Sequence, residues 1–81
     1  MSQKIKQDIH IGGNISKSRK NVGLTQEEVI AQLQLRGFSL SRSAYSQIET
    51  GTYNIRVSEL IALTQIFKVD FNTIFKNLTN V

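Results

Sequence analysis

Apolar residues recur at intervals of three and four along most of the chain, which is the period of helices that bury one face. The first such face is predicted at four positions: Ile11, Ile15, Ser18 and Val22. Gly23 follows at the place where glycine commonly ends a helix. The pattern therefore predicts a first helix over about residues 11–22.

Capping signals place the second helix. Thr25 followed three residues later by Glu28 is a capping box, in which each side chain accepts a hydrogen bond from the other residue's backbone N–H. The helix that follows is predicted to bury three residues: Val29, Ile30 and Leu33. It is expected to end near Leu35 or Arg36, because Gly37 marks a turn.

A third, short helix is predicted to begin at a Ser41 cap and to run to Thr50, with Gly51 as its stop. On a helical wheel, Ala44, Tyr45 and Ile48 cluster on one side. The opposite side is polar and is formed by Arg42, Ser43, Ser46, Gln47 and Thr50. This outward face is short and rich in hydrogen-bonding groups.

Two more helices follow a predicted loop over residues 52–56. The fourth has a broad apolar stripe formed by Leu60, Ile61, Leu63, Thr64 and Phe67. Asp70 is placed to cap the fifth, in which Phe71 and Phe75 are predicted to face inward. The pattern therefore predicts an all-α fold, a compact five-helix bundle with short connections.

Length and composition limit the classes of protein. Eighty-one residues are enough for one small domain, which we place at residues 9–81 after a flexible N-terminal segment, residues 1–8. The chain has no cysteine and a single histidine, His10, so we expect no metal site, no cofactor and no enzymatic activity. Nothing in the sequence indicates a membrane span or a secretory signal, so we expect a cytoplasmic protein.

The charge balance is basic. Ten Lys and Arg residues against six Asp and Glu residues give a net charge of +4. In so small a chain this excess favours an anionic partner such as nucleic acid.

Three segments in order carry a resemblance to a known family: Gly23–Glu28, Ser41–Ser43 and Gln47–Gly51. Together with the helices between them, they resemble the Cro/phage-repressor type of helix-turn-helix domain, the XRE family. The resemblance runs from about Ile11 to Phe75. It implies that helices 2 and 3 form the helix-turn-helix, and that helix 3 (about 41–50) enters the major groove of double-stranded DNA. The implied function is a sequence-specific transcriptional regulator, specifically a repressor.

The same resemblance implies roles for individual residues. Base edges would be read by Arg42, Ser43 and Gln47, with Ser46 beside them. Phosphates would be contacted by Gln26, Ser41, Tyr53, Asn54 and Arg56. Arg19 and Glu49 would form a structural ion pair between the first and third helices.

We further expect a homodimer on a two-fold-related operator, associated with the nucleoid when bound. The expected dimer surface lies on helix 5 and the tail, at Phe71, Ile74, Phe75 and Leu78.

Three features depart from the family pattern. The connection between the second and third helices is about four residues longer, around Leu35–Phe38. Ser18 replaces a larger aliphatic residue and Tyr45 replaces Ile or Val, which suggests that a small residue makes room for the ring. The loop after Gly51 lacks the usual basic residue, so Tyr53 and Arg56 are expected to substitute for it.

Two alternative functions are consistent with the same residues. One is the antitoxin of a toxin–antitoxin pair, which would bind DNA and also a protein partner. The other is a protein-interaction module that has kept the fold without the DNA function. Arg42, Gln47 and the net positive charge argue against the second alternative.

Overall fold

Five helices and two short strands make up the described part of the chain. The structure is a computed structural model, and it describes residues 4–5 and 11–76. The helices are α1 (Gly12–Asn21), α2 (Gln26–Leu35), α3 (Arg42–Thr50), α4 (Val57–Phe67) and α5 (Phe71–Ile74), and the strands are β1 (Lys4–Ile5) and β2 (Ile55–Arg56). The predicted all-α fold is confirmed, with the strand pair as a small addition. No helix within the described ranges is long and apolar enough to cross a membrane.

Side-chain caps start three of the helices where the sequence predicts them. The Thr25–Glu28 capping box is complete: the Glu28 N–H lies 3.1 Å from Thr25 Oγ1, and the Thr25 N–H lies 2.8 Å from Glu28 Oε1. Ser41 Oγ accepts from the backbone N–H of the third residue beyond it, at 3.0 Å. Asp70 Oδ1 does the same at the start of α5, also at 3.0 Å. These local hydrogen bonds satisfy N–H groups that have no partner within the helix.

The longer connection between α2 and α3 begins with a tightly capped turn. Gly37 has φ +89°, a left-handed conformation that favours glycine. The N–H groups of Gly37 and Phe38 donate back to the carbonyl oxygens of Gln34 and Leu33, at 3.0 and 2.9 Å. Phe38 is thereby returned to the edge of the core, whereas Leu35 is 81% exposed. Helix α2 therefore ends at Leu35, as predicted, and residues 36–41 form the connection.

The core lies between all four longer helices and β2. It is formed by Ile11, Ile15, Val29, Leu33, Tyr45, Ile48, Ile55, Leu60, Ala62, Leu63, Ile66, Phe67 and Ile74. Ser18 and Thr64 are buried with them, as the helical period predicts. Most inward positions of the sequence pattern are therefore confirmed.

Three apolar residues predicted to face inward are exposed instead: Val22 at 42%, Ile61 at 41% and Phe71 at 44%. Val22 is the C-cap of α1, where the regular helix ends, so the helical period no longer predicts which way its side chain faces. Ile61 lies on the same face of α4 as the exposed Ser58 and Gln65. Phe71 is the first residue of a four-residue helix whose buried position is filled by Ile74.

The strand pair was not predicted. Lys4 pairs with Arg56 and Ile5 pairs with Ile55 in an antiparallel arrangement. β2 occupies the end of the segment that was expected to be a loop, and Ile55 is fully buried there. The rest of the expected flexible segment, His10 and Leu78 lie outside the described residues.

A close approach between α1 and α3 sets the position of the third helix. A Cβ added to Gly12 would lie 2.5 Å from the carbonyl oxygen of Glu49 and 2.6 Å from that of Ile48. Both atoms are backbone, so no side-chain movement could relieve such a contact. Glycine at position 12 therefore allows the start of α1 to pack against the end of α3.

Candidate nucleic-acid interface

The third helix presents the face that its sequence predicts. Arg42, Ser43, Gln47 and Thr50 are exposed, and Ser46 is half-buried. On the opposite side Tyr45 and Ile48 are fully buried. Ser41 is exposed at the start of the helix, where its hydroxyl oxygen is engaged in the cap. The result is a helix that is fixed to the core by its apolar side and presents a polar surface with one guanidinium and one amide.

A buried carboxylate fixes α3 to α1 and α2. Arg19 and Glu49, expected to form an ion pair, do so through two hydrogen bonds, Nε to Oε2 at 2.7 Å and Nη2 to Oε1 at 3.1 Å. The Tyr45 hydroxyl donates to Glu49 Oε2 at 2.6 Å, and Gln26 Nε2 donates to Oε1 at 3.0 Å. We call Arg19, Gln26, Tyr45 and Glu49 the anchor cluster. It joins the three helices that position the candidate surface.

The anchor cluster is electrostatically self-consistent. Burial raises the pKa of the Glu49 carboxyl, but the hydrogen bonds from Arg19, Tyr45 and Gln26 outweigh it, so the net pKa is lowered. The Tyr45 pKa is raised, first by burial and then by the hydrogen bond to Glu49. The Arg19 pKa is raised mainly by its hydrogen bond to Glu49. Glu49 is therefore ionised and Tyr45 is neutral near neutral pH.

Gln26 connects the anchor cluster to the exposed surface. Its amide nitrogen donates to Glu49, and its amide oxygen Oε1 accepts from Arg42 Nε at 2.9 Å. Because Glu49 is acceptor-only when ionised, this arrangement fixes which end of the Gln26 amide faces Arg42. The Arg42 guanidinium also forms an ion pair with Glu27 Oε2 through Nη1. The first turns of α2 and α3 are thus joined by side chains.

The loop residues form a separate group. Tyr53 is half-buried against the core, and its hydroxyl lies 3.4 Å from Glu59 Oε2. The Tyr53 pKa is raised by burial and by Glu59. Arg56 is exposed, and its backbone N–H donates to Glu59 Oε1 at 2.9 Å. Asn54 is exposed between them in the sequence. Two of the expected phosphate contacts, Tyr53 and Arg56, are thus hydrogen-bonded to a buried Glu59 at the start of α4.

Some residues that shape the surface were not singled out by sequence reasoning. Glu27 gave no signal beyond being acidic in the first turn of a helix. Gly12 gave none, because its importance depends on the approach of a distant helix. The pairing of the Tyr45 hydroxyl with Glu49 follows from their separation of four residues on one helix, which the sequence could have shown.

A comparison with sequence models of protein families shows which family the chain belongs to. The sequence model of a helix-turn-helix family matches residues 15–74, which is most of the chain. The chain belongs to this Cro/repressor-type (XRE) helix-turn-helix family. Comparison with curated proteins and with solved structures gave no match.

As an XRE-family protein, the chain is a DNA-binding transcription regulator. Its helix-turn-helix consists of α2, the connection over residues 36–41, and α3. The matched region contains the whole anchor cluster and the exposed face of α3. It ends at residue 74, so α5 is its last helix.

Proposed function

We propose that this XRE-family regulator binds a specific double-stranded DNA operator, with α3 in the major groove, and acts as a repressor. The observation that carries the proposal is the exposed polar face of α3, formed by Arg42, Ser43 and Gln47 and held in place by the buried Glu49 carboxylate. A single helix fits the major groove, which is about 12 Å wide. Repression follows where the occupied operator overlaps a promoter.

Two side chains supply most of the base reading. Arg42 can donate two hydrogen bonds to O6 and N7 of guanine, and Gln47 can pair with N6 and N7 of adenine. Each good bidentate contact discriminates by about 1–3 kcal/mol against the wrong base. Ser43 and Ser46 lie between them on the helix and add hydroxyl groups that accept or donate.

Phosphate contacts supply affinity and register. Gln26 opens α2, where backbone N–H groups and the helix dipole favour a phosphate, and one of its amide hydrogens remains after the bond to Glu49. Ser41 opens α3 in the same way. Asn54 is exposed in the loop that follows α3 and Arg56 is exposed in β2, and Tyr53 is half-buried in the same loop. Such contacts are independent of base sequence and sensitive to salt.

One small domain makes few contacts, so we propose a homodimer on a two-fold-related operator whose half-sites are about 34 Å apart. The apolar surface for this dimer is narrower than the sequence suggests. Ile74 is fully buried, so it contributes nothing to a dimer surface. Phe71, the first residue of α5, is 44% exposed, and Phe75, which follows α5, is half-buried. Among the described residues of the expected dimer surface, these two aromatic side chains are left to form it.

Selection of binding sites from random duplexes tests the proposed function. We expect a recurring two-fold-related motif, and an affinity for it that falls steeply as salt rises. Arg42→Ala is expected to lose base preference at particular positions of each half-site. Uniform weakening at all sequences would instead make Arg42 a phosphate contact. Failure of the wild-type protein to bind any duplex in dilute salt would contradict the proposal.

A further inference from the structure

We propose that Glu27 is a positioning residue that makes Arg42 select guanine. This inference rests on the proposed function, because it assigns the specificity of the surface described there. Glu27 lies outside the face of α3, in the first turn of α2. Its effect on DNA would act through the guanidinium of Arg42 and not through a base contact of its own.

The ion pair leaves part of the guanidinium available. Arginine has five N–H donors in a planar fork. Gln26 Oε1 accepts from Nε and Glu27 Oε2 accepts from Nη1, so both N–H groups of Nη2 and the second N–H of Nη1 remain. These remaining donors include neighbouring groups of the fork, which is the arrangement that guanine O6 and N7 accept.

One acceptor that holds Arg42 is fixed by a hydrogen bond of its own, and the other stands on a capped helix turn. The Gln26 amide is oriented by its bond to Glu49, at 3.0 Å, and Glu49 is secured by Arg19 and Tyr45. Glu27 belongs to a helix whose first turn is closed by the capping box. The guanidinium is therefore held at two points, by the oriented Gln26 amide and by the Glu27 carboxylate, which reduces the rotamer freedom that an exposed arginine loses on binding.

The charge of Glu27 has a second effect, which lowers the affinity for DNA. Its side chain is 65% exposed, and that of Arg42 is 59% exposed, so both face the solvent that DNA would replace. A carboxylate at that surface repels the phosphates of any duplex. Glu27 is therefore expected to weaken binding to all sequences while increasing the preference for guanine.

Glu28 provides a matched control in the same turn. It carries the same charge as Glu27, but its carboxylate accepts from Thr25 in the capping box. Glu28→Gln keeps a residue that the capping box accepts and removes one negative charge. Glu27→Gln also removes one charge, but it weakens the hold on Arg42. The two variants thus separate general electrostatics from positioning.

The test compares dissociation constants for three duplexes, measured with wild-type protein, Glu27→Gln and Glu28→Gln. The duplexes are the selected operator, the same operator with guanine replaced by adenine where Arg42→Ala loses preference, and a random sequence. For wild type we expect the guanine preference to be roughly tenfold or more. Both variants should bind the random duplex more tightly. Glu27→Gln alone should reduce the guanine preference, by about threefold or more, and it should not change that preference further in the Arg42→Ala background.

An unchanged guanine preference in Glu27→Gln, or an equal loss in Glu28→Gln, would overturn the inference and leave the proposed function intact. An operator in which Arg42→Ala alters no guanine would also overturn it. If wild-type protein binds no duplex, the proposed function fails, and the inference fails with it. Thermal melts of the two variants confirm that each is folded when it is compared.

Discussion

The Tyr45 hydroxyl lies 2.6 Å from Glu49 Oε2, one turn apart on the inner side of α3. Tyr45 is fully buried, and the Glu49 side chain is only 7% exposed. Three further hydrogen bonds, two from Arg19 and one from Gln26, complete the surroundings of this carboxylate. The helix proposed to read DNA is thus fixed by a charged, hydrogen-bonded cluster as well as by apolar packing.

Removal of the Glu49 carboxylate is expected to destabilise the fold and not only DNA binding. Glu49→Ala leaves the Arg19 guanidinium, at 11% exposure, without its carboxylate partner and with only the Leu24 carbonyl oxygen as an acceptor among its described contacts. Breaking such a pair from one side costs about 3–5 kcal/mol of unfolding free energy. Glu27→Ala, which removes an exposed carboxylate, is the control, and its effect should stay below about 1 kcal/mol. Equal melting temperatures of Glu49→Ala and wild type would contradict the structural role of the anchor cluster.

Acid should weaken the protein through the same carboxylate. The pKa of Glu49 is lowered in the folded state from its ordinary value of 4.5, because the hydrogen bonds from its three partners outweigh burial. A lowered carboxyl pKa adds stability that is complete above the ordinary value and is lost as pH falls through the folded value. The unfolding free energy should therefore decrease below about pH 4.5. Denaturant titrations at several pH values measure this slope.

Glu49→Gln is the reference for that acid dependence, because it keeps the shape of the side chain without a titrating group. Its unfolding free energy should be lower than that of wild type at pH 7, and it should fall less steeply below pH 4.5. Parallel curves for the two proteins would mean that Glu49 does not contribute to the acid slope.

Gly12 and Gly13 are expected to respond in opposite directions to alanine. Gly12→Ala would place a Cβ 2.5 Å from the Glu49 carbonyl oxygen, so α1 and α3 must separate, at a cost of about 1–3 kcal/mol. Gly13 has no neighbour within 4 Å of that position, so Gly13→Ala should gain up to about 1 kcal/mol from helix propensity. Chemical denaturation of both variants gives the comparison. A stable Gly12→Ala protein would refute the close contact between the helices.

Lys68 ends α4 in a conformation that glycine usually adopts, with φ +59°. A side chain in this left-handed conformation costs about 1–2 kcal/mol of stability. Glycine avoids that cost, but part of the gain is lost because glycine has more conformational entropy in the unfolded state. Lys68→Gly is therefore expected to be about 1 kcal/mol more stable than Lys68→Ala, which keeps the strain and removes the same charge. Equal unfolding free energies for these two variants would show that the left-handed turn carries no strain.

Local signals in the sequence predicted the helix boundaries well. The Thr25 capping box, the Ser41 cap and the stop at Gly51 involve residues within a few positions of one another, so their hydrogen bonds are written into short segments. The outward face of α3 was also predictable, because one helical period decides it. The fold class and the family were predictable from these features.

Features that depend on distant neighbours were not predictable in the same way. The exposure of Phe71 depends on how α5 packs against α1, with Ile74 in the buried position. The need for glycine at position 12 arises from α3, far along the chain. The pairing of Glu27 with Arg42 requires the relative placement of two helices joined by the connection over residues 36–41.

The size exchange suggested between Ser18 and Tyr45 stays a prediction. Both residues are buried, Ser18 at 3% exposure and Tyr45 at 0%. If the serine makes room for the ring, Ser18→Leu should destabilise the wild-type protein, and Tyr45→Val should offset part of that loss. A double-mutant cycle with additive effects would contradict the exchange.

Guanine N7 methylation interference tests most directly whether α3 reads the major groove, since N7 lies in that groove. On the selected operator, methylation at particular guanines of each half-site should block binding of the wild-type protein. Arg42→Ala should lose the interference at one guanine per half-site and keep it elsewhere. Binding of the operator that is insensitive to every N7 methyl group would contradict major-groove reading by α3.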